Sequence, residues 1–320
     1  MNIKALLFSS IICFSSIAVA ETVFVTLEKD NAIAVVDPIT GKLMRSVNVG
    51  QRPRGIQLSA DKQSLYIATS DDDTVIELDA NTLEIKAKLP SGEDPETFAI
   101  NSQGTRMYVS NEDDNQVTVI DLVSKQAVHQ VAVGVEPEGI AVSPDDKWIV
   151  SASETTNMVH WIDSDSHEIK ANTLVDPRPR ALTFSADGQQ LWVTSEIEGT
   201  LMVIDVATKQ IIQRVRFAVP GLRQEKIQPV GVVVDKNRQW AYVALGPANR
   251  VAVVNAQTYE VEKYLLVGAR VWNLAFSPKQ ERLYTTNGVS HDISIIDLAE
   301  HKVTKSIAVG RYPWGVAVKP

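Results

Sequence analysis

The sequence predicts an all-β fold: a seven-bladed β-propeller of four-stranded antiparallel blades, its closing blade shared by the N- and C-terminal strands. Three columns of residues on one period predict it. The first is a polar residue ending an apolar run: Asp37, Asp79, Asp121, Asp163 and Asp205 stand 42 residues apart, Asn255 follows after 50, and Asp297 restores the step of 42. The second is a proline in a fixed register, at Pro53, Pro95, Pro137, Pro179, Pro229 and Pro313, with Val271 in the sixth of the seven places. The third is aromatic: Phe24, Tyr66, Tyr108, Trp192, Tyr242 and Tyr284, with Val150 as the exception. A unit of roughly 40–45 residues that repeats and carries four short strands is the propeller pattern.

One repeat shows how each element arises. From Pro137, GIAVS (139–143) is a short apolar run suited to a buried strand, and PDDK (144–147) is a turn. WIVSAS (148–153) is a second strand, ETTN (154–157) a loop, and MVHWID (158–163) a third strand with alternating character. SDSH (164–167) turns into EIKANTLV (168–175), the fourth. Short β-rich runs bounded by Gly, Pro, Asp, Asn and Ser read as an antiparallel meander, and no long 3.6-residue pattern competes with it. The chain enters at TVFVT (22–26), in register with a second strand, and leaves at WGVAV (314–318), in register with a first strand. The last strand is therefore expected to complete the first blade, which removes the open edges of the sheet array. The eight extra residues around VPGLRQEK (219–226) read as a lengthened inter-blade loop.

The first twenty residues have a different character. Lys4 precedes an apolar run from Ala5 to Ile17, and Ala18-Val19-Ala20 places small residues where a signal peptidase cuts. The expectation is a secretory signal (1–20) cleaved after Ala20, one propeller domain over 21–320, a periplasmic location, and no membrane span in the mature chain. Cys13, the only cysteine, falls in the signal, so the mature chain has neither disulfide nor thiolate nucleophile. Lys4 is also the only charged side chain there, so its removal takes the formal charge from −8 to −9. Net acidity argues against nucleic acid as a partner, since such binding leans on phosphate neutralisation.

The motif "VG, two polar residues, P-x-G, apolar strand, turn, then V-x-V-I-D" resembles the YVTN family of β-propeller repeats over 22–318. Blade-specific loops carry it further: VGQRPRG (49–55), SDDDTV (70–75), NEDDN (111–115), VGVEPEG (133–139), SETTNM (153–158), GPANRVAVV (246–254) and VGRYPWG (309–315). Together they resemble the periplasmic seven-repeat propellers that accompany pyrroloquinoline quinone (PQQ)-dependent alcohol catabolism beside an ABC-type transport system. The resemblance implies a non-enzymatic binding or scaffold protein, with a PQQ-dependent dehydrogenase or a transport component as partner. It brings no catalytic residues. Val271 and Asn255 depart from the repeat.

In such a fold the loops between an outer strand and the next inner strand line one mouth of the channel, where a rigid scaffold presents variable side chains. In ring order they offer Arg52 and Arg54, Asp94 and Glu96, Glu136 and Glu138, Arg178 and Arg180, Gln228 with Arg223 and Lys226 nearby, Arg270 and Trp272, then Tyr312 and Trp314. One arc is expected to carry the carboxylates and the other the arginines and aromatics. Arginine forks pair carboxylates bidentately and Trp or Tyr stack on planar groups, so a small anionic ligand suits the second arc, PQQ being one such planar polycarboxylate. The bland alternative is a rim of exposed ion pairs, each worth only about 0–1 kcal/mol.

Other features weigh less. Asp71-Asp72-Asp73 and Glu112-Asp113-Asp114 offer hard oxygens, but at no EF-hand spacing, and no metal ligand set is assigned. None of His129, His160, His167, His291 and His301 has a partner at metal spacing, His160 reads as packed, and His291 alone is placed as a base at the mouth. A propeller lactonase would need such a base or a metal. A single-stranded nucleic-acid binder would use the arginine–aromatic arc for stacking, against the net charge.

Overall fold

The computed structural model describes residues 21–320, so the expected signal segment lies outside the described residues. Seven four-stranded antiparallel sheets form, each a meander in chain order except the first. Blade 1 combines 313–319 with 22–27, 32–37 and 42–48. Blade 2 spans 53–90, blade 3 spans 95–132, blade 4 spans 137–174, blade 5 spans 179–216, blade 6 spans 232–266 and blade 7 spans 271–308. Apart from two 3-10 turns, Ser70–Asp72 and Gln224–Lys226, the described residues hold no helix, and none of them forms a helix able to cross a membrane.

The closing blade forms as the sequence predicts. Phe24 pairs with Ala317 and Val25 with Val316, antiparallel. Glu21 ties the entry of this strand to blade 7, its carboxylate accepting from Arg282 Nη1 at 2.9 Å and from the Tyr284 hydroxyl at 2.8 Å. Arg311 adds a bridge to Asp30 at 2.6 Å.

The aromatic column is the filling between blades. Tyr66 packs with Phe98 of blade 3, Tyr108 with Ile140 of blade 4, Trp192 with Val232 of blade 6, Tyr242 with Leu274 of blade 7, and Tyr284 with Val25 of blade 1. The apolar core is therefore a set of inter-blade seams, because a single sheet has two faces and no other way to bury both. Val150, the exception, shares its seam with Trp161, which supplies the bulk from the next strand.

Nearest the axis the blades approach too closely for side chains. A Cβ on Gly315 would lie 2.5 Å from the Arg54 carbonyl oxygen, and one on Gly231 would lie 2.6 Å from that of Trp272. Where the glycine of P-x-G is replaced, the substitute is either small, as Ala181, or bonds across the seam: Thr97 Oγ1 donates to the Glu138 carbonyl, and Asn273 Nδ2 donates to that of Trp314 at 3.0 Å. The sequence pattern is thus a record of contact between neighbouring inner strands.

The 219–226 insertion lies, as expected, between blades 5 and 6. It packs against the loop of blade 5 at Gly199, where a Cβ would meet Gln224 Nε2 at 2.5 Å.

Candidate functional site

Each mouth residue is held by its backbone. The N–H groups of Arg52, Asp94, Glu136, Arg178 and Arg270 donate at 2.9–3.1 Å to the side-chain oxygens of Asn31, Asp73, Asn115, Asn157 and Asn249 in the preceding blade. Tyr312 N donates to His291 Nδ1 at 3.2 Å in the same way. The carbonyls of these six residues accept from Ser70, Glu112, Glu154, Glu196, Gly288 and Glu28 of their own blades at 2.8–3.1 Å. All six donors have φ between 47° and 59°, and their six side-chain acceptors between 52° and 61°. Left-handed backbone is uncommon for non-glycine residues and most tolerable for Asn and Asp, which explains the latch residues. At the seam into blade 6 the latch is missing: Gly199 takes the Asn position and Gln228 the entry position.

The side chains meet differently from the expected segregation into two arcs. Arg52 reaches into the acidic arc, 2.7 Å from Asp94, 2.8 Å from Glu96 and 3.6 Å from Asp71. Arg54 lies 3.3 Å from the same Glu96 and stacks 5.0 Å from the Trp314 ring centroid. Arg180 bonds Glu138 at 2.7 Å and also Glu154. Arg178 binds Glu154 at 2.8 Å and Glu196 at 3.1 Å, and Arg270 lies 3.4 Å from Glu196 and 4.4 Å over Trp272. Arginine is long enough to span a seam, so charges placed in separate arcs by ring order join one network. Glu96, Glu138, Arg180, Glu154 and Glu196 are buried, so this is no rim of solvated pairs. Glu136 stays apart and accepts from Thr155.

Sequence reasoning passed over Glu28, Glu154 and Glu196. They had a signal: with Ser70 and Glu112 they form a 42-residue column, the first residue after each second strand. Those strands end at the same mouth as the proline loops.

Two regions with opposite character remain open. One is a cavity of about 450 Å³ whose charged lining is Arg54, Arg178, Arg180 and Arg270 against Glu28 and Glu196, with Trp272 and Tyr312 as aromatic walls. Arg270 there is held below its ordinary pKa chiefly by burial, with Glu196 opposing and Arg180 and Arg178 adding smaller shares. The other is a hollow of about 290 Å³ lined by Arg52 and by Asp71, Asp73, Glu93, Asp94 and Asp113. Beneath it burial pushes Glu96 up to about 7, with Arg54 opposing and Glu138 adding to the rise. Glu112 rises to about 8 through burial and the carboxylates of Glu96, Glu138 and Asp94.

The acidic loops have a structural task. Asp72 Oδ2 accepts from Gln51 N and Asp114 Oδ2 from Glu93 N, both at 2.7 Å. His160 is buried, with Nε2 accepting from Gly134 N at 2.9 Å and Nδ1 2.7 Å from Asn172 Oδ1. His291 reaches the mouth but uses Nδ1 on the Tyr312 amide. Arg223 and Lys226 are exposed and do not line the basic cavity.

Fold and mouth together define a seven-bladed β-propeller with a charged, latch-held channel mouth. Residues 124–293 match the Choice-of-anchor I domain, more than half of the chain, and the chain belongs to that family. Residues 60–172 also match the Cytochrome D1 heme domain. Comparison with curated protein sequences gives no match. Among solved structures, Kuenenia stuttgartiensis hydrazine synthase is similar at 20% identity and a TM-score of 0.74, covering 86% of this chain and 92% of that one. A Bacteroides fragilis protein proposed to be a 6-phosphogluconolactonase is similar at 18% identity and a TM-score of 0.80, covering 95% and 99%. The dihydro-heme d1 dehydrogenase NirN, in complex with DHE, is similar at 13% and 0.70, covering 92% and 74%. At these identities the likeness is one of fold.

Proposed function

We propose that this chain is a non-enzymatic binding propeller whose basic cavity takes a small planar organic polyanion. The observation that carries the reading is the convergence of four arginines with Trp272 and Tyr312 around a cavity of about 450 Å³. That size suits a small organic ligand, and arginine forks beside aromatic faces suit planar carboxylates. The resemblance to propellers of PQQ-dependent alcohol catabolism makes PQQ, a planar tricarboxylate, the first ligand to test. It also suggests an exported accessory role beside a PQQ-dependent dehydrogenase or an ABC-type transport component.

Two rivals come from the comparisons. A haem-type macrocycle is suggested by the Cytochrome D1 heme domain match and by NirN. The described residues lining the basic cavity include no His, Met or Cys, and Tyr312 is the one side chain there of a type that ligates haem iron, which favours an anion without iron. A lactonase is suggested by the Bacteroides fragilis neighbour. His291, the base it would use, has Nδ1 engaged by the Tyr312 amide, which weakens that reading.

The test is a tryptophan-fluorescence titration of residues 21–320 with PQQ and with benzene-1,3,5-tricarboxylate, beside an Arg178→Gln, Arg270→Gln double variant. Saturable quenching that weakens at least tenfold in a folded double variant is expected. Non-saturable signal loss with both ligands overturns the polyanion reading. Saturation by the tricarboxylate alone removes PQQ and keeps the class.

A further inference from the structure

We propose that the acidic side of the mouth binds a hard divalent cation of the calcium class between Asp94, Glu96 and Glu112. Nothing in the basic cavity is needed for it. Carboxylate oxygens from the three residues lie within 4.8 Å of one another. They come from two places in blade 3: Asp94 and Glu96 flank Pro95 at the start of its inner strand, and Glu112 begins the loop after its second strand. The bond from Glu112 N to the Asp94 carbonyl, at 3.0 Å, fixes the two loops against each other.

The independent pointer is Glu96. Its side chain is fully buried, and while Oε1 meets Arg52 at 2.8 Å and Arg54 at 3.3 Å, Oε2 meets no N–H or hydroxyl donor, and the Glu112 carboxyl lies within hydrogen-bond reach of this side chain. A buried acceptor left unpaired is costly, and native structures seldom leave one without a partner or a bound species. Arg52 takes Oδ1 of Asp94, and no other described group bonds its second oxygen. One oxygen on each of these two residues therefore remains for a ligand, with the Glu112 carboxylate opposite.

Size and charge favour calcium. The oxygens lie close enough together to share a cation, and Ca–O distances of about 2.3–2.6 Å reach further than Mg–O distances of about 2.0–2.1 Å. Calcium also accepts irregular sites and completes its shell with water. The surrounding charge is negative on balance: Asp71, Asp73, Glu93 and Asp113 line the hollow above and Glu138 acts on both Glu96 and Glu112 from blade 4, against the guanidiniums of Arg52 and Arg54.

The test uses residues 21–320 with Ca²⁺ alone, by thermal unfolding in EDTA and in millimolar Ca²⁺ and by titration calorimetry. A rise of several degrees in Tm and a saturable binding heat are expected. Glu112→Gln should abolish both while unfolding in EDTA at or above the wild-type Tm. Arg178→Gln, on the basic side, should leave them in place, so this result and the polyanion titration can fail separately. Wild-type protein with no Ca²⁺-dependent shift and no heat overturns the proposal, and so does a Glu112→Gln protein that keeps the full shift.

Discussion

Asn157 Oδ1 accepts a 3.0 Å hydrogen bond from the backbone N–H of Arg178, and so a residue of blade 4 sets the position of the first arginine of blade 5. Both have left-handed backbone, at φ 55° and 59°. Replacing Asn157 by Ala removes the acceptor and the residue type that best tolerates that conformation. A loss of about 1–2 kcal/mol is expected in urea unfolding, with weaker polyanion binding as Arg178 loosens. Unchanged stability would show that solvent satisfies the Arg178 amide equally well.

Gly315 marks the tightest constraint at the closing blade. A Cβ there meets the Arg54 carbonyl at 2.5 Å and Thr26 Oγ1 at 3.0 Å, and both of those groups are already bonded to each other. Gly315→Ala is expected to cost about 1–3 kcal/mol through overpacking, read as a lower Tm. An unchanged Tm would remove the contact as the reason for the glycine.

Arg180 is the hub of a buried network, bonded to Glu138 and Glu154 and 3.8 Å from Glu196. Arg180→Ala takes from the buried Glu138 its only bonded counter-charge and leaves Glu154 and Glu196 to Arg178. A loss of about 3–5 kcal/mol is expected, or failure to fold. The variant should recover stability as pH falls and those carboxyls protonate, whereas a packing defect alone would show no such recovery.

His160 gives the molecule an acid limit. Burial lowers its pKa below the ordinary 6.5, with Asn172 opposing. The folded state therefore prefers the neutral ring, and this contribution is present above the unfolded-state pKa and lost as pH falls below it. Protonating Nε2 would set two N–H groups against each other, since Gly134 N already donates to it at 2.9 Å. Stability should decline from about pH 6.5 downward, and part of that slope should vanish in His160→Gln. An identical slope in the variant would place the effect elsewhere.

The fold was legible because its causes repeat. The proline, the following glycine and the aromatic each answer to one contact made at successive seams, so the period exposed blade number, closure and ring order together. The mouth was legible in order but not in pairing. Arg52 and Glu96 are 44 residues apart and belong to different blades, and only side-chain length decides that they touch. Glu154 and Glu196 were hidden for another reason: their column follows the second strand, and attention to the proline loops does not reveal that both loop sets end on one face. The unpaired Oε2 of Glu96 leaves no trace in sequence at all, since it depends on which of two oxygens the arginines reach.

The latches give the mouth a particular kind of freedom. At six seams the residue before the inner strand is anchored through its N–H and its carbonyl, and its side chain takes no part in either bond. Arg, Asp, Glu and Tyr all occupy that place in this one chain. The ring therefore behaves as an alphabet slot read once per blade: the sentence at the mouth can be rewritten letter by letter while the page it is printed on stays the same.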